Sequence, residues 1–472
     1  MNLNQTLQEK YPHLEISVLK LSEVQKDNES KRIDSEFFKK EYFDAMETMQ
    51  LNQVEYLGDN MKFNSRYSQP KYDETSKIKV INSQYIRNEY IDYENAKSGY
   101  GKIVPKESVL INATGVGTLG RVFINILDFD FSIDSHINVI VVKNKTYLNP
   151  YFLAIFLQSY YGQIQIIRYY SGTSGQIEIY PRDFNYFKIP IFPMEFQLEI
   201  QNLVKDSHKA LEESKELYKK AEETLYLELG LDPKNPLQSL LDSKIDHSIK
   251  SLNISIRTLK ESFLKTGRLD SEYYQSKYED IEKFIKSYPN GYDSFSSIIN
   301  NKDTNFTPKN NENYSYIELA NIGNNGNISE PISDLGKNLP TRARRIVSKG
   351  DVIISSIEGS LSSCALITQE FDKHLVSTGF FVLNSKLLNG ETLLVMFKSQ
   401  IFQEYLKKFP SGTILCAINK EELSKILIPK IDSTTQEKIA KYIQESFNLR
   451  KKSKQLLDNA KNKVEEQIQG KT

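Results

Sequence analysis

The run Gly115-Val116-Gly117-Thr118-Leu119-Gly120 has the spacing of a dinucleotide fingerprint. Such a fingerprint follows a strand and opens a helix, whose N-terminal amides then face the pyrophosphate. A strand-like segment does precede it, but Val122-Phe123-Ile124-Asn125-Ile126 reads as another strand, not a helix. A phosphate loop fails as well, because Arg121-Val122 stands where Lys-Ser/Thr is required. The run therefore reads as a tight glycine turn between two strands. His136 is the only histidine near that turn, and a lone strand histidine is ordinarily packed or hydrogen-bonded. The five His and two Cys show no metal spacing. No nucleophile–base set and no carboxylate pair can be assembled, so the sequence carries no recognisable catalytic constellation.

Asn149-Pro150-Tyr151-Phe152 is one proline short of the Asn-Pro-Pro-Tyr loop of adenine methyltransferases, and no cofactor-binding glycine motif precedes it. A helix start with proline in its first turn explains it better. Polar recognition is the more promising chemistry. Residues 337–349 hold Lys337, Arg342, Arg344, Arg345 and Lys349 and no acid. Arginine's planar fork suits phosphate oxygens and guanine edges. A looser counterpart, Lys62, Arg66, Lys71, Lys77 and Lys79, is interleaved with Phe63, Tyr67 and Tyr72. Basic residues mixed with aromatics serve nucleic-acid surfaces, and they equally make a solvated basic loop. The loops 171–176 and 411–415 follow Arg168 and Lys407-Lys408, and their small residues allow a partner close backbone approach, or simply make a turn.

These residues belong to a duplicated unit. Arg32-Ile33-Asp34-Ser35-Glu36-Phe37-Phe38 recurs as Arg268-Leu269-Asp270-Ser271-Glu272-Tyr273-Tyr274, an offset of 236. Ser171-Gly172-Thr173 recurs at Ser411, Ile189-Pro190 at Ile428 and Gln197 at Gln436, with offsets of 240, 239 and 239. Chance matches would scatter; four in one order at nearly one offset indicate two copies of a unit of about 240 residues. Each copy has strand-like runs bounded by turn residues (108–112, 122–126 and 136–142; 351–356, 364–368 and 380–383). A helix-like stretch follows, 151–161 or 391–408, and then a long polar helix.

The closing helices carry the clearest periodicity. Val204, Leu211, Tyr218 and Leu225 recur every seven residues, beside a second row of Ile200, Ser207, Ser214 and Ala221. Ile443, Arg450, Leu457 and Val464, with Ile439, Ser446, Ser453 and Ala460, repeat both rows. A sustained seven-residue period predicts coiled-coil packing, and the small row lets two backbones approach closely. The two helices are expected to pair. The first, 195–229, would be roughly 50 Å long at 1.5 Å per residue.

Composition sets the outer limits. At roughly 150 residues per domain, 472 residues make about three domain-sized units. With 61 basic and 61 acidic residues the net charge is zero, which excludes a protein that coats nucleic acid by global charge. Hydrophobic residues at 39% are too many for disorder. The polar segment 1–14 does not read as a signal peptide, and no run nears the roughly 18 apolar residues of a membrane span. Two cysteines, Cys364 and Cys416, cannot make a disulfide framework and suit a reducing cytosol.

Two tandem copies, each a variable globular part closed by a long helix, resemble the specificity (S) subunits of type I restriction–modification systems. The Arg268–Tyr274 motif resembles the segment that opens the second half of many members. Leu339-Pro340-Thr341-Arg342-Ala343-Arg344-Arg345, followed by Gly350-Asp351-Val352, resembles the family's basic stretch and next strand. Thr114-Gly115 through Gly120-Arg121 resembles its glycine turn, from which copy two departs by keeping only Gly359. Ser171-Gly172-Thr173, Ile189-Pro190 and Gln197 resemble the end of a target recognition domain.

The resemblance implies an α+β chain with target recognition domains at 1–193 and 261–431. It implies a central spacer helix at 194–229, a connector at 230–260 and a C-terminal spacer helix at 432–472, the helices forming an antiparallel coiled coil. It implies double-stranded DNA with a bipartite site as ligand, two methylation subunits and restriction (endonuclease/translocase) subunits as partners, and a cytoplasmic location with no membrane. S-adenosylmethionine and ATP with Mg would be bound by those partners and no cofactor by this chain, which would be a non-catalytic member of the complex. The residues expected to contact DNA are Arg66, Tyr67, Lys71, Arg121, Ser171, Thr173, Ser174, Arg342, Arg344, Arg345, Ser411 and Thr413. The alternatives are a coiled-coil protein-interaction scaffold, which the duplicated basic-aromatic surface disfavours, and the specificity subunit of a related methylation-only or phage-defence system.

Overall fold

The computed structural model describes residues 3–172, 175–242, 256–323, 325–412 and 416–470. It divides into two compact units, residues 1–212 with 450–472, and residues 213–449. Each long helix is thus shared between the two units.

In the first unit, Val54–Tyr56 pairs antiparallel with Lys188–Pro190, bringing the two ends of the globular part together. A four-stranded antiparallel sheet runs in the order Met61–Arg66, Ile137–Val142, Val109–Asn112, Val122–Ile124. Its central strands are rich in Val and Ile and buried on both faces, which favours extended backbone. A second sheet runs Lys71–Tyr72, Lys97–Tyr100, Lys79–Ile81, Phe131–Ile133, the last two parallel.

The second unit repeats this plan. Tyr292–Ser294 pairs with Leu427–Pro429. The antiparallel sheet runs Ile299–Asn301, Phe380–Ser385, Val352–Ser355, Cys364–Leu366, in matching order. The other sheet runs Ile332–Leu335, Asn313–Ile317, Leu375–Ser377, Ala343–Ile346, again with one parallel pair, here at its centre and not at its edge. The copies differ at the sheet edge: the first adds Lys71–Tyr72 on one side, the second adds Ala343–Ile346 on the other. In the first unit that latter position is reduced to a single bridge, Ile103 to Ser132.

The expected helix at 151–161 is two helices, Pro150–Gln158 and Tyr160–Tyr169, and that at 391–408 is Gly390–Lys398 and Gln400–Leu406. The break falls at Ser159 and Ser399, both with extended ψ. Each hydroxyl donates to the carbonyl three residues earlier, 2.6 Å to Phe156 and 2.7 Å to Met396. A serine that bonds its own preceding turn competes with helix continuation. The Asn149-Pro150 pair is the helix start expected of it: Asn149 Oδ1 accepts the Tyr151 N–H at 2.9 Å.

The repeated glutamine is structural. Gln197 Oε1 accepts the Asn149 N–H at 2.7 Å, while its Nε2 donates to the Phe192 and Tyr147 carbonyls. Gln436 makes the same three bonds to Asn389, Ile431 and Leu387. Each clamp ties a long helix to the cap of its unit's apolar helix.

The long helices are Met194–Glu228 and Ser433–Ile468. Within the first unit, Ser207 Oγ lies 2.9 Å from Ser453 Oγ, and Glu199 pairs with Lys463 at 2.8 Å. Within the second, Ser214 Oγ lies 3.0 Å from Ser446 Oγ, and Thr435 Oγ1 donates to Glu228 at 2.8 Å. In each case the partner's number falls as the first helix's number rises, so the pairing is antiparallel. Ala221 and Ala460 of the same small-residue row are fully buried. Of the connector, 243–255 lie outside the described residues, and the part before them holds the helix Pro236–Asp242.

Candidate nucleic-acid interface

In the first unit the site grows from the exit of the strand Val109–Asn112. The Ala113 N–H donates to the His136 carbonyl at 2.9 Å, and Thr114 Oγ1 lies 2.9 Å from His136 Nδ1. The chain then enters the glycine turn, where Gly115, Gly117 and Gly120 have φ of +94°, +78° and +81°. No helix follows the turn: the next element is the strand Val122–Ile124. Thr114 bridges to Glu178, and the Gly115 N–H reaches the Ile177 carbonyl at 3.1 Å. Glu178 and Ser171 exchange both backbone bonds at 2.8 Å. The hairpin beginning at Ser171 thus stands directly on the glycine turn. Gly172, at φ +111°, is required there, because a Cβ would lie 2.0 Å from the Gln176 carbonyl oxygen.

The second unit builds the same junction from other residues. The Ser356 N–H donates to the Gly379 carbonyl at 2.9 Å. Ile357 bridges to Ala417, and the Glu358 N–H reaches the Cys416 carbonyl at 3.0 Å. Ser411 and Ala417 exchange bonds at 3.0 and 3.1 Å. Glu358 therefore occupies the place of Gly115, and Gly379 that of His136.

The Arg-x-Asp motifs meet these hairpins at their base. Arg32 holds Asp34 through Nε and Nη2, both at 2.7 Å, and its Nη1 donates to the Tyr170 and Arg168 carbonyls at 2.7 and 3.2 Å. Arg268 holds Asp270 at 2.7 and 2.9 Å and donates to the Pro410 and Phe409 carbonyls at 2.8 and 3.3 Å. The hydrogen bonds from Arg32 hold the Asp34 carboxyl below its ordinary range. Burial pushes the Asp270 carboxyl up, but the hydrogen bonds from Arg268 and the Tyr273 N–H, with the Arg268 charge, together outweigh it and the net shift is downward. Between each Arg and Asp an apolar side chain points outward: Ile33 is 86% exposed and Leu269 is 69% exposed.

The anticipated contact residues have distinct surroundings. Arg66 is turned inward: it pairs with Glu178, donates to the Ile179 carbonyl and lies 5.7 Å from the Tyr180 ring. Tyr67 is buried, and burial raises its phenol. Lys71 is exposed on the edge strand, opposite Tyr100. Arg121 donates to the Gly117 carbonyl at 2.7 Å and to Ile86 at 3.3 Å, bracing the glycine turn from within. Ser171 and Ser411 are half-buried at the hairpin bases, whereas Thr173, Ser174 and Thr413 lie outside the described residues.

In the basic stretch, Arg342 is exposed and 3.6 Å from Glu318. Arg344 donates to the Thr341 carbonyl at 2.9 Å and the Thr307 hydroxyl at 3.2 Å, and Arg345 donates to the Phe380 carbonyl. The Arg342 carbonyl accepts the Thr378 N–H at 2.9 Å, which seats the basic stretch beside Gly379 and hence beside the hairpin. The first unit's counterpart meets its hairpin through Arg66, which pairs with Glu178, while Ser135, next to His136, donates its hydroxyl to Gln69 at 3.0 Å.

Sequence reasoning overlooked Lys102, which sits 4.7 Å from the Phe63 ring and 4.8 Å from Tyr67, and the half-exposed Tyr180 with Arg182 5.3 Å from its ring. No local spacing signals either. Arg32 and Arg268 were visible as a repeat, but their partners lie about 140 residues away. Among the described residues no cluster of His, Cys, Asp and Glu could hold a metal, and no helix is long and apolar enough to cross a membrane.

Residues 44–223 match the family model described as "Type I restriction modification DNA specificity domain". The type I restriction enzyme HindI specificity subunit of Haemophilus influenzae is 29% identical over 129 residues, 26% of this chain; the chain spans 28% of that relative's length. Among solved structures, the S subunit of a type I restriction-modification system from M. genitalium is 13% identical, with a TM-score of 0.43 over 88% of this chain and 95% of that one. The HsdS subunit from Thermoanaerobacter tengcongensis is 14% identical, with a TM-score of 0.27 over 89% and 97%.

Proposed function

We propose, for a chain whose residues 44–223 belong to the type I restriction modification DNA specificity domain family, that each unit reads one half of a bipartite double-stranded DNA site. The carrying observation is a constant frame with variable readers. Both units keep the same sheet order, helix clamp and hairpin anchor, while the turn at Gly115/Glu358, the hairpin and the basic edge strand all differ. Two such units suit two different half-sites.

Exposed Lys71 in the first unit and Arg342 in the second supply phosphate contacts, Arg344 lies next to Arg342 in the basic stretch, and Ser171 and Ser411 with their hairpins approach the base edges. Arg66, Arg121 and Arg345 hold the frame through internal bonds. The paired helices set the spacer, as protein geometry sets half-site separation in dimeric DNA readers, and dock two methylation subunits. Chemistry resides in those partners: S-adenosylmethionine-dependent methylation, and ATP- and Mg-dependent cleavage where restriction subunits join. The complex works in the cytoplasm. A gel-shift assay with the methylation subunit present tests this reading. It predicts sequence-selective retention of duplex DNA; retention of all duplexes alike, or of none, contradicts it.

A further inference from the structure

We infer that Arg32 and Arg268 are positioning residues for half-site reading, each aiming the hairpin of its own unit. This rests on the DNA-reading role proposed above. The helix Tyr160–Tyr169 ends with carbonyls that have no partner within the helix. Arg32 Nη1 takes those of Arg168 and Tyr170, and the next residue, Ser171, begins the hairpin. The guanidinium is itself fixed, because Asp34 grips Nε and Nη2 in a fork, and the Phe37 N–H donates to Asp34 at 3.2 Å. The Phe37 ring lies 5.1 Å from the guanidinium carbon. The exit direction of the hairpin is thereby set by a planar group held on three sides.

The second unit reproduces the lock just past its helix Gln400–Leu406, with Nη2 shared between Asp270 and Pro410. Arg268 takes the Phe409 and Pro410 carbonyls just before Ser411, Asp270 accepts the Tyr273 N–H at 3.0 Å, and the Tyr273 ring lies 4.6 Å from the guanidinium. Beyond these anchors the hairpins diverge: Ser171 closes on Glu178, seven residues on, whereas Ser411 closes on Ala417, six on. A constant base under segments of different length is what a mount for an interchangeable reader requires. Lysine, a point charge without the fork, cannot hold the carboxylate and both carbonyls in one plane.

The test uses the full complex with methylation subunits and a randomised duplex library, sequenced after capture. Arg32→Met should cut discrimination at one half-site by about ten- to a hundredfold, the worth of a misplaced base contact, and leave the other half-site unchanged. Arg268→Met should do the mirror image. Arg32→Lys and Asp34→Asn, milder changes to the same lock, should weaken the same half-site as Arg32→Met by less. Ile33→Ser, at the exposed position between them, should alter neither. Loss of both half-sites together, or of neither, in Arg32→Lys and Asp34→Asn with melting unchanged overturns the inference while leaving DNA reading intact. A wild-type complex that captures no preferred sequence overturns DNA reading itself, and this inference with it.

Discussion

The basic stretch separates charges that face solvent from charges that hold the frame. Arg342 is exposed, whereas Arg345 spends its guanidinium on the Phe380 carbonyl. The Arg342→Ala, Arg344→Ala, Arg345→Ala triple variant should lower the dependence of DNA affinity on salt, with about 0.9 log units of slope per lost phosphate contact. Arg345→Ala alone should also lower stability by about 1–3 kcal/mol, because it removes a charged donor from the carbonyl of the buried Phe380. Salt titrations and thermal melts separate the two effects, and an unchanged slope in the triple variant contradicts the phosphate role. Asp34 and Asp270 give a pH signature. Their carboxyls are held below the ordinary range when folded. They therefore contribute stability above the unfolded carboxylate pKa of about 3.9 and lose it as pH falls through the folded value. Replacing both with Asn should flatten the acid limb of stability against pH; an acid limb as steep as wild type would contradict the lock.

Among the elements, the long helices offer the sharpest energetic test. Ser207 Oγ donates to the Ser453 carbonyl at 2.9 Å, and Ser446 Oγ donates to the Ser214 carbonyl at 2.7 Å. Ser207→Ala should therefore cost more than Ser453→Ala, by about 1 kcal/mol. Chemical denaturation checks the order; equal costs would contradict this donor assignment. The helices, their pairing and the glycine turn were legible because periodicity and φ-positive glycine are local signals. The split at Ser159 and Ser399 was not, since a serine within an apolar run reads as helix interior until its hydroxyl is seen bonding the previous turn. Arg66 likewise reads as a free cation in sequence, yet its partner Glu178 is 112 residues away. Reader geometry depends on such distant pairs, so the frame could be read and the aim of the side chains could not.

For the whole molecule, the proposed function makes one strong claim: each of the two units reads its own half-site. Lengthening both helices by one matched heptad, within 199–225 and its counterpart in the C-terminal helix, keeps the seven-residue packing rows in phase. The decisive measurement is methylome sequencing of a host expressing the wild-type or lengthened chain with its methylation subunit. The account predicts adenine methylation at a split motif whose two half-sites are unchanged by the insertion and whose spacer grows. Altered half-sites with the original spacer, or a single uninterrupted motif in the wild type, would contradict it.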